Sequence, residues 1–309
     1  MAVVITGSSG LLGSALVRAL RDRGRPVVRL IRKPPAGPDE AFWDPREGVL
    51  DPAVLEGADA VVHLAGASIA GRRWNDDYRR ELLGSRVDGT RLIATTIAGL
   101  SRKPGVLLSS SAMGVYGDTG EHPVDESSKP PVWARGQGGK PPRGQWLADL
   151  ARAWEAETAP AEEAGVRVVW LRTGHVLTTE GGFLGPQLPL FKLGMGAPLG
   201  SGRQYTSWIA LPDWVGAVEY LLADPQVSGP VNLTAPTPVT NAVFTKALGR
   251  ALRRPTLPVP VPGFALRAAL GDLADEGVLI GQRVLPRRLM EMGYRFRYPR
   301  LDEALAAIL

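Results

Sequence analysis

At 309 residues, 44% hydrophobic and 22% charged, the chain is long enough for one α/β domain with a smaller cap and too apolar to be disordered. Its formal charge of +5 comes from Lys and Arg scattered along the sequence without a long basic run, so nucleic acid is not an expected partner, while an anionic cofactor or substrate suits the modest positive field. Cysteine is absent, which excludes disulfides, thiolate catalysis and cysteine-ligated metal.

Val3 to Ile5 reads as a buried strand ending at Gly7, not as a signal peptide. Leu11 to Arg23 follows with Leu12, Leu16, Ala19 and Leu20 at helical spacing and Gly24 as a stop, and Val27 to Ile31 is a second apolar run. Strand, Gly-rich turn, helix, strand is a βαβ unit. Further strands are expected at Ala60 to Leu64, Val106 to Ser109 and Val166 to Leu171, and helices at Asp76 to Leu100 and Trp146 to Ala164. The alternation predicts an α/β fold with a Rossmann-type, doubly wound parallel sheet. Ser127 to Gly144, dense in Pro, Gly, Lys and Arg, is expected to be a loop. Helical segments follow near Pro212 to Ala223, Asn241 to Arg253 and Phe264 to Leu273. Residues 1–175 are therefore expected to form the dinucleotide domain, with its sheet completed by later segments, and 176–309 a smaller cap. No stretch approaches the ~20 apolar residues of a membrane span, so a membrane is not an expected partner and a cytoplasmic location is.

Gly7-Ser8-Ser9-Gly10-Leu11-Leu12-Gly13 has the spacing G-x-x-G-x-x-G between a strand and a helix. The first glycine permits the tight turn, the second lets backbone approach a diphosphate, and the third lets helix and strand pack closely. Helix N-terminal N–H groups then face the phosphates. The second strand ends Leu30-Ile31-Arg32-Lys33, where NAD enzymes usually carry a carboxylate for the ribose 2′-hydroxyl. Two cations attract a 2′-phosphate instead, so NADP(H) is the expected cofactor.

Several stretches carry a more specific likeness. They are Leu64-Ala65-Gly66 followed by Arg72-Arg73-Trp74, Gly84-Ser85-Arg86, and the run from Ser109-Ser110-Ser111 through Ala112, Met113 and Gly114 to Val115-Tyr116-Gly117. Leu171-Arg172-Thr173-Gly174, the run from Leu193-Gly194 through Gly200-Ser201-Gly202-Arg203-Gln204-Tyr205, and Gly281-Gln282-Arg283-Val284-Leu285-Pro286 continue it. The chain resembles, almost end to end, the epimerase-family branch of the extended and atypical short-chain dehydrogenase/reductases, with a C-terminal domain of unknown function at about 255–303. The resemblance implies cofactor roles for Arg32, Leu64, Ala65 and Arg86. It also places Ser111 where such enzymes keep a substrate-binding serine. Ser9, Leu11, Leu12, Gly66, Ser109, Thr173 and Gly174 complete the expected cofactor contacts. Helix-paired dimers are common in the superfamily, so a homodimer is the assembly it suggests.

Hydride transfer in that superfamily resembles a Ser/Tyr/Lys arrangement, with the Tyr one helical turn before the Lys. The expected segment here reads Gln145-Trp146-Leu147-Ala148-Asp149-Leu150-Ala151-Arg152, with neither. Tyr116 is the substitute candidate for the acid, with Ser111 as its catalytic companion; Lys140 in the loop and His175 after Thr173-Gly174 are weaker candidates. His63 is expected to be a core histidine, and Glu155 and Glu157 a solvated helix face. No spacing suggests a metal site. Trp74, Met113, Arg203, Tyr205 and Trp208 are candidates for a substrate pocket, with Arg203 suited to an anionic group and the aromatics to stacking. Where relatives commonly read Ile-His-x-Asp-Asp, this chain reads Ile209-Ala210-Leu211-Pro212-Asp213. The reading is an NADP(H)-dependent oxidoreductase or epimerase acting on a small-molecule carbonyl or alcohol, or on a nucleotide-sugar-like compound. A cofactor-binding sensor or docking protein without turnover, and a lyase using NADP internally, are the alternatives.

Overall fold

The computed structural model describes residues 2–133 and 141–309, so Lys140 lies outside the described residues. The chain begins β1 (Val3–Thr6), α1 (Leu11–Asp22), β2 (Val27–Ile31), β3 (Glu40–Asp44), β4 (Val49–Leu50), β5 (Ala60–His63) and α2 (Asp76–Gly99). It continues β6 (Val106–Ala112), β7 (Pro123–Val124), α3 (Gln145–Ala156), α4 (Ala159–Glu163), β8 (Arg167–Thr173), β9 (His175–Leu177) and α5 (Leu188–Lys192). Then come β10 (Tyr205–Thr206), β11 (Trp208–Ala210), α6 (Leu211–Ala223), β12 (Gly229–Leu233), β13 (Val239–Thr240), α7 (Asn241–Ala251), α8 (Gly263–Leu270), β14 (Arg283–Val284), α9 (Arg287–Glu291) and α10 (Leu301–Ile308).

Eight strands form one sheet in the order β12-β8-β6-β5-β1-β2-β3-β4. The pairs β1–β2, β1–β5, β5–β6 and β2–β3 are parallel, and β4 turns back antiparallel on β3. This is the expected Rossmann-type sheet, completed by the late strand β12. β1 and β5 are buried at every residue, which is why they read as unbroken apolar runs: a parallel strand covered on both faces has no polar side to show. The expected helix from Trp146 to Ala164 is two helices, because Pro160 in the first turn of α4 has no N–H to continue the ladder from α3.

The contacts divide the chain into two compact units interleaved along the sequence. The first holds Met1–Ser111, Arg152–Leu171 and Val218–Pro230; the second holds Ala112–Ala151, Arg172–Ala217 and Val231–Leu309. A single division at residue 175 therefore does not describe the packing. The core of the first unit sets Val4, Val61, Leu107 and Val168 of the sheet against Ile93, Ala94 and Ile97 of α2, with Trp43 of β3 closing it. The second unit has its own core, in which Phe244 and Leu248 of α7 meet Leu301 and Leu305 of α10 and Trp208 of β11. Short ladders brace it: β9 with β11, β10 with β13, and β7 with β14. Among the described residues, no helix is long and apolar enough to cross a membrane.

Candidate functional site

The strand order reverses direction of build at β1, whose neighbours are β2 on one side and β5 on the other. In open α/β sheets, ligands bind at the carboxyl ends of the strands flanking such a point. Two loops meet here in the first unit, the Gly7–Gly13 elbow after β1 and Leu64–Ala67 after β5. Gly7 holds φ at +65°, and a Cβ on it would lie 2.7 Å from the Leu64 carbonyl carbon. A Cβ on Gly13 would lie 2.2 Å from the Gly7 carbonyl oxygen, a separation no side chain can occupy. At Gly10 the same atom would be 3.3 Å away, tight but not prohibitive. Gly10 N-caps α1 without a side-chain hydrogen bond, and the first turn holds no carboxylate. The positive end of α1 is thus left uncompensated beside backbone that can approach a ligand closely, with Ser9 and Gly10 exposed and Leu11 and Leu12 half-buried at its mouth.

The β5 exit is fixed by a buried hydroxyl. Thr6 Oγ1 accepts from the Leu64 and Ala65 amides at 3.0 and 3.1 Å and lies 2.8 Å from His63 Nδ1. Two amides occupy its lone pairs, so its proton goes to Nδ1 and the imidazole carries hydrogen on Nε2. His63 is fully buried against the edge of Trp43, and burial lowers its pKa to about 4. It is the core histidine expected from sequence. Arg86 of α2 reaches the same loop, donating to the Ala67 carbonyl at 3.0 Å and the Leu82 carbonyl at 3.0 Å. Its guanidinium lies 5.0 Å from the Trp154 ring, close behind Gly66. Burial lowers its pKa to about 10, which leaves it charged at neutral pH.

Arg32 and Lys33 follow β2, exposed and without a carboxylate partner among the described residues. The neighbouring cations are engaged, Arg29 with Glu40 and Arg21 with Asp39. Glu40 also accepts from the Ala36 amide, so this acid is already satisfied.

The serine strand is less open than the sequence suggests. Ser109 is buried beside His63 in the ladder. Ser111, also buried, donates its proton to Glu155 Oε1 at 2.6 Å. This corrects the expectation for Glu155, which is buried and not solvated; Glu157 makes a surface pair with Arg91. The signal was present: Ala148, Ala151, Glu155 and Thr158 recur at helical spacing, and all four are buried. A carboxylate on a stripe of small residues faces packing, not water. Trp74 packs inside the first unit, 6% exposed, with its indole N–H on the Ile69 carbonyl at 2.8 Å.

The remaining candidates belong to the second unit. Tyr116 is buried; its hydroxyl donates to Asn232 Oδ1 at 2.9 Å and accepts from Arg172 Nη1 at 2.9 Å. Asn232 Nδ2 donates to the Leu285 carbonyl at 2.9 Å, which fixes the amide with its oxygen towards the phenol. Burial, partly offset by the Arg172 charge, pushes the phenol up to about 12. These contacts make Tyr116 a buried bridge between Asn232 and Arg172 in this structure, with its phenol protonated at neutral pH. Met113 shares its apolar cluster with Val284, and Trp208 is fully buried with its N–H on the Thr237 carbonyl. Thr173 accepts from the Trp214 indole at 3.1 Å, and a Cβ on Gly174 would lie 2.8 Å from Thr234. Tyr205 lies under the Arg283 guanidinium, and Arg203 forms an exposed pair with Glu121. His175 stacks on Phe183 at 4.1 Å, and burial lowers its pKa to about 4. Of the five expected substrate residues, Trp74 belongs to the first unit and Met113, Arg203, Tyr205 and Trp208 to the second. Asp213, the acid left in the altered Ile209–Asp213 stretch, accepts the Arg297 and Tyr298 amides and ties down the C-terminal segment. Among the described residues, no cluster of His, Asp and Glu could hold a metal ion.

The profile of the NAD dependent epimerase/dehydratase family matches residues 3–233, and that of a domain of unknown function (DUF1731) matches 261–308. The chain is similar to "Epimerase family protein Mb2239" of Mycobacterium bovis, 46% identical over 303 residues, covering 98% of this chain and 96% of that protein. The crystal structure of human epimerase family protein SDR39U1 (isoform2) with NADPH matches with a TM-score of 0.85 at 33% identity, covering 100% of this chain and 99% of that one. A nucleoside-diphosphate sugar epimerase from Corynebacterium glutamicum matches with a TM-score of 0.79 at 34% identity, over 100% of this chain and 58% of that one.

Proposed function

The chain belongs to the NAD dependent epimerase/dehydratase family, and on that premise we propose that it is an NADP(H)-dependent oxidoreductase or epimerase. Its substrate in this reading is a small carbonyl or alcohol compound, nucleotide-sugar-like molecules included, in an aqueous reducing compartment such as the cytoplasm. One observation carries the cofactor assignment: Arg32 and Lys33 have no ion-pair partner among the described residues at the end of β2, while Glu40 of the neighbouring strand is already bonded. The groups present fit a phosphorylated dinucleotide. The α1 N-terminus and the Gly7–Gly13 backbone would hold the diphosphate, and Arg32 and Lys33 the 2′-phosphate. Leu64 and Ala65, braced by Thr6, and the buried cation of Arg86 would line the next part of the cofactor's path. NADPH, when bound, supplies a hydride, and NADP accepts one. The human relative's NADPH supports the phosphorylated form.

A second reading, cofactor binding without turnover, has its own support. The protons of both candidate catalytic hydroxyls go to protein partners, Ser111 to Glu155 and Tyr116 to Asn232. Titration with NADPH and NADH, followed by absorbance at 340 nm across a panel of carbonyls, alcohols and nucleotide sugars, tests both. Tighter binding of NADH than NADPH rejects the cofactor assignment. NADPH binding with no turnover and no product anywhere in the panel favours the second reading.

A further inference from the structure

Residues 225–271 form one local excess of positive charge, with five Lys and Arg and no Asp or Glu. Within the second unit, α7 buries Phe244, Ala247 and Leu248 and turns Val243, Lys246 and Arg250 outward, one exposed stripe that Arg253 and Arg254 extend past the helix end. Lys246, Arg250 and Arg254 line a groove of about 410 Å³ with Val243, Pro255 and Thr256 and no carboxylate. None of these cations, nor Arg253 or Lys192 at the end of α5, has an ion-pair partner among the described residues; of the five in the stretch only Arg267 is paired, with Asp275.

Large exposed apolar side chains stand on the segments that adjoin this groove. The segment from Gly194 to Leu199 runs beside Pro255 to Val261 through the Gly196–Thr256 and Leu199–Val261 bridges. Along it Leu193 and Val259 are each 72% exposed and Phe264, at the start of α8, is 74% exposed, more than any other large apolar side chain described except Val132. Side chains that exposed have little protein to pack on, and grouped apolar exposure marks an interaction surface.

We propose that this face of the second unit docks on an anionic phospholipid surface, with Lys192, Lys246, Arg250, Arg253 and Arg254 meeting the headgroups and Leu193, Val259 and Phe264 entering the interfacial layer. Charge alone would suit any polyanion. A free phosphate or a nucleic acid, however, would satisfy the cations and leave the apolar side chains in water. A protein partner would need a separate pocket for each of them. A bilayer takes both kinds of group without prearranged pockets, and a cytoplasmic leaflet has the required negative charge. No membrane-spanning helix is involved; the contact is peripheral and salt-sensitive.

Vesicle co-sedimentation of the intact chain tests this. With about 30% phosphatidylserine in phosphatidylcholine, the protein partitions onto vesicles at ~50 mM NaCl and is released at ~500 mM, while pure phosphatidylcholine does not retain it. Lys246→Glu with Arg250→Glu weakens partition by about 30-fold or more. Val259→Ser with Phe264→Ser weakens it by about tenfold while keeping the salt dependence. Thermal melting and NADPH affinity stay unchanged in both variants, so failure here is separable from failure of the cofactor assignment. No partition at low salt, equal partition onto neutral vesicles, or variants that partition like the parent each overturn the proposal. So does release by inorganic phosphate at an ionic strength where chloride has no effect, or tighter binding of an oligonucleotide or an acidic peptide than of the vesicles.

Discussion

The glycine elbow of the first unit and the Tyr116 network of the second are both closely fitted assemblies, the elbow open at its mouth and the network buried, and they leave different things unused. At the elbow, steric fit is complete but electrostatics are not: α1 begins without a side-chain cap or an acid, and Arg32 and Lys33 have no ion-pair partner among the described residues. Around Tyr116 the polar groups answer one another, phenol to Asn232, Asn232 to Leu285, Arg172 to phenol. A binding site needs unsatisfied potential held in a fixed geometry; a structural network uses its potential internally. The same residue types therefore point to a ligand in one region and to packing in the other.

The sharpest test of the first half is Gly13→Ala. With 2.2 Å between its Cβ and the Gly7 oxygen, the elbow must move; we expect a loss of about 3 kcal/mol in urea unfolding and no measurable NADPH binding. Gly10→Ala should keep affinity within about tenfold, since its backbone is ordinary and the contact is 3.3 Å. Equal effects at both positions would break the steric account.

Acid should loosen the floor of the same site. His63 has a pKa of about 4 when folded against an ordinary histidine value of 6.5, so between those values the unfolded chain binds the extra proton. Stability from this group is full above pH 6.5 and falls as pH drops towards 4, by roughly 3 kcal/mol in total. Urea midpoints at several pH values in wild type and His63→Gln check this; identical pH slopes would refute the buried neutral imidazole. His175 acts in the same direction from the second unit, so the variant flattens the slope without abolishing it.

Arg32→Glu with Lys33→Glu should raise the Kd for NADPH by about 100-fold and leave NADH within about threefold, read by fluorescence titration. A parallel loss for both cofactors would mean that these cations do not read the 2′-phosphate. The smallest effect is expected in the second region. Tyr116→Phe should cost about 1–2 kcal/mol of stability through its two lost hydrogen bonds, with NADPH affinity unchanged. If instead turnover found in the panel vanishes in a fully folded Tyr116→Phe, the phenol is more than a bridge and the contrast drawn above fails.

The elbow was legible in the sequence because its constraints are local. Gly7, Gly10 and Gly13, the strand before them and the cations after β2 fall within about thirty residues, and sterics dictates their spacing. His63 was readable as core from its apolar neighbours. What escaped the sequence depends on distant partners. Glu155 finds Ser111 across 44 positions, Tyr116 finds Asn232 across 116, and nothing in either segment names the other. Trp74 and Trp208 are both buried in the structure, which composition does not foretell, since an aromatic has the same signal in a wall as in a core. Strands β3 and β12 are no shorter than β1 and β5, but Glu40 and Asp44 in one and Gly229, Pro230 and Asn232 in the other break the apolar run, so pairing and not periodicity makes them strands.

The interleaving of the two units has a consequence for synthesis. β12 occupies one edge of the main sheet, yet Gly229–Leu233 emerges from the ribosome well after β8, with β9, α5, β10, β11 and α6 made in between. A nascent chain halted after β8 holds seven of the eight strands and an open edge, so the growing polypeptide must keep that edge from pairing with other chains until the last strand arrives.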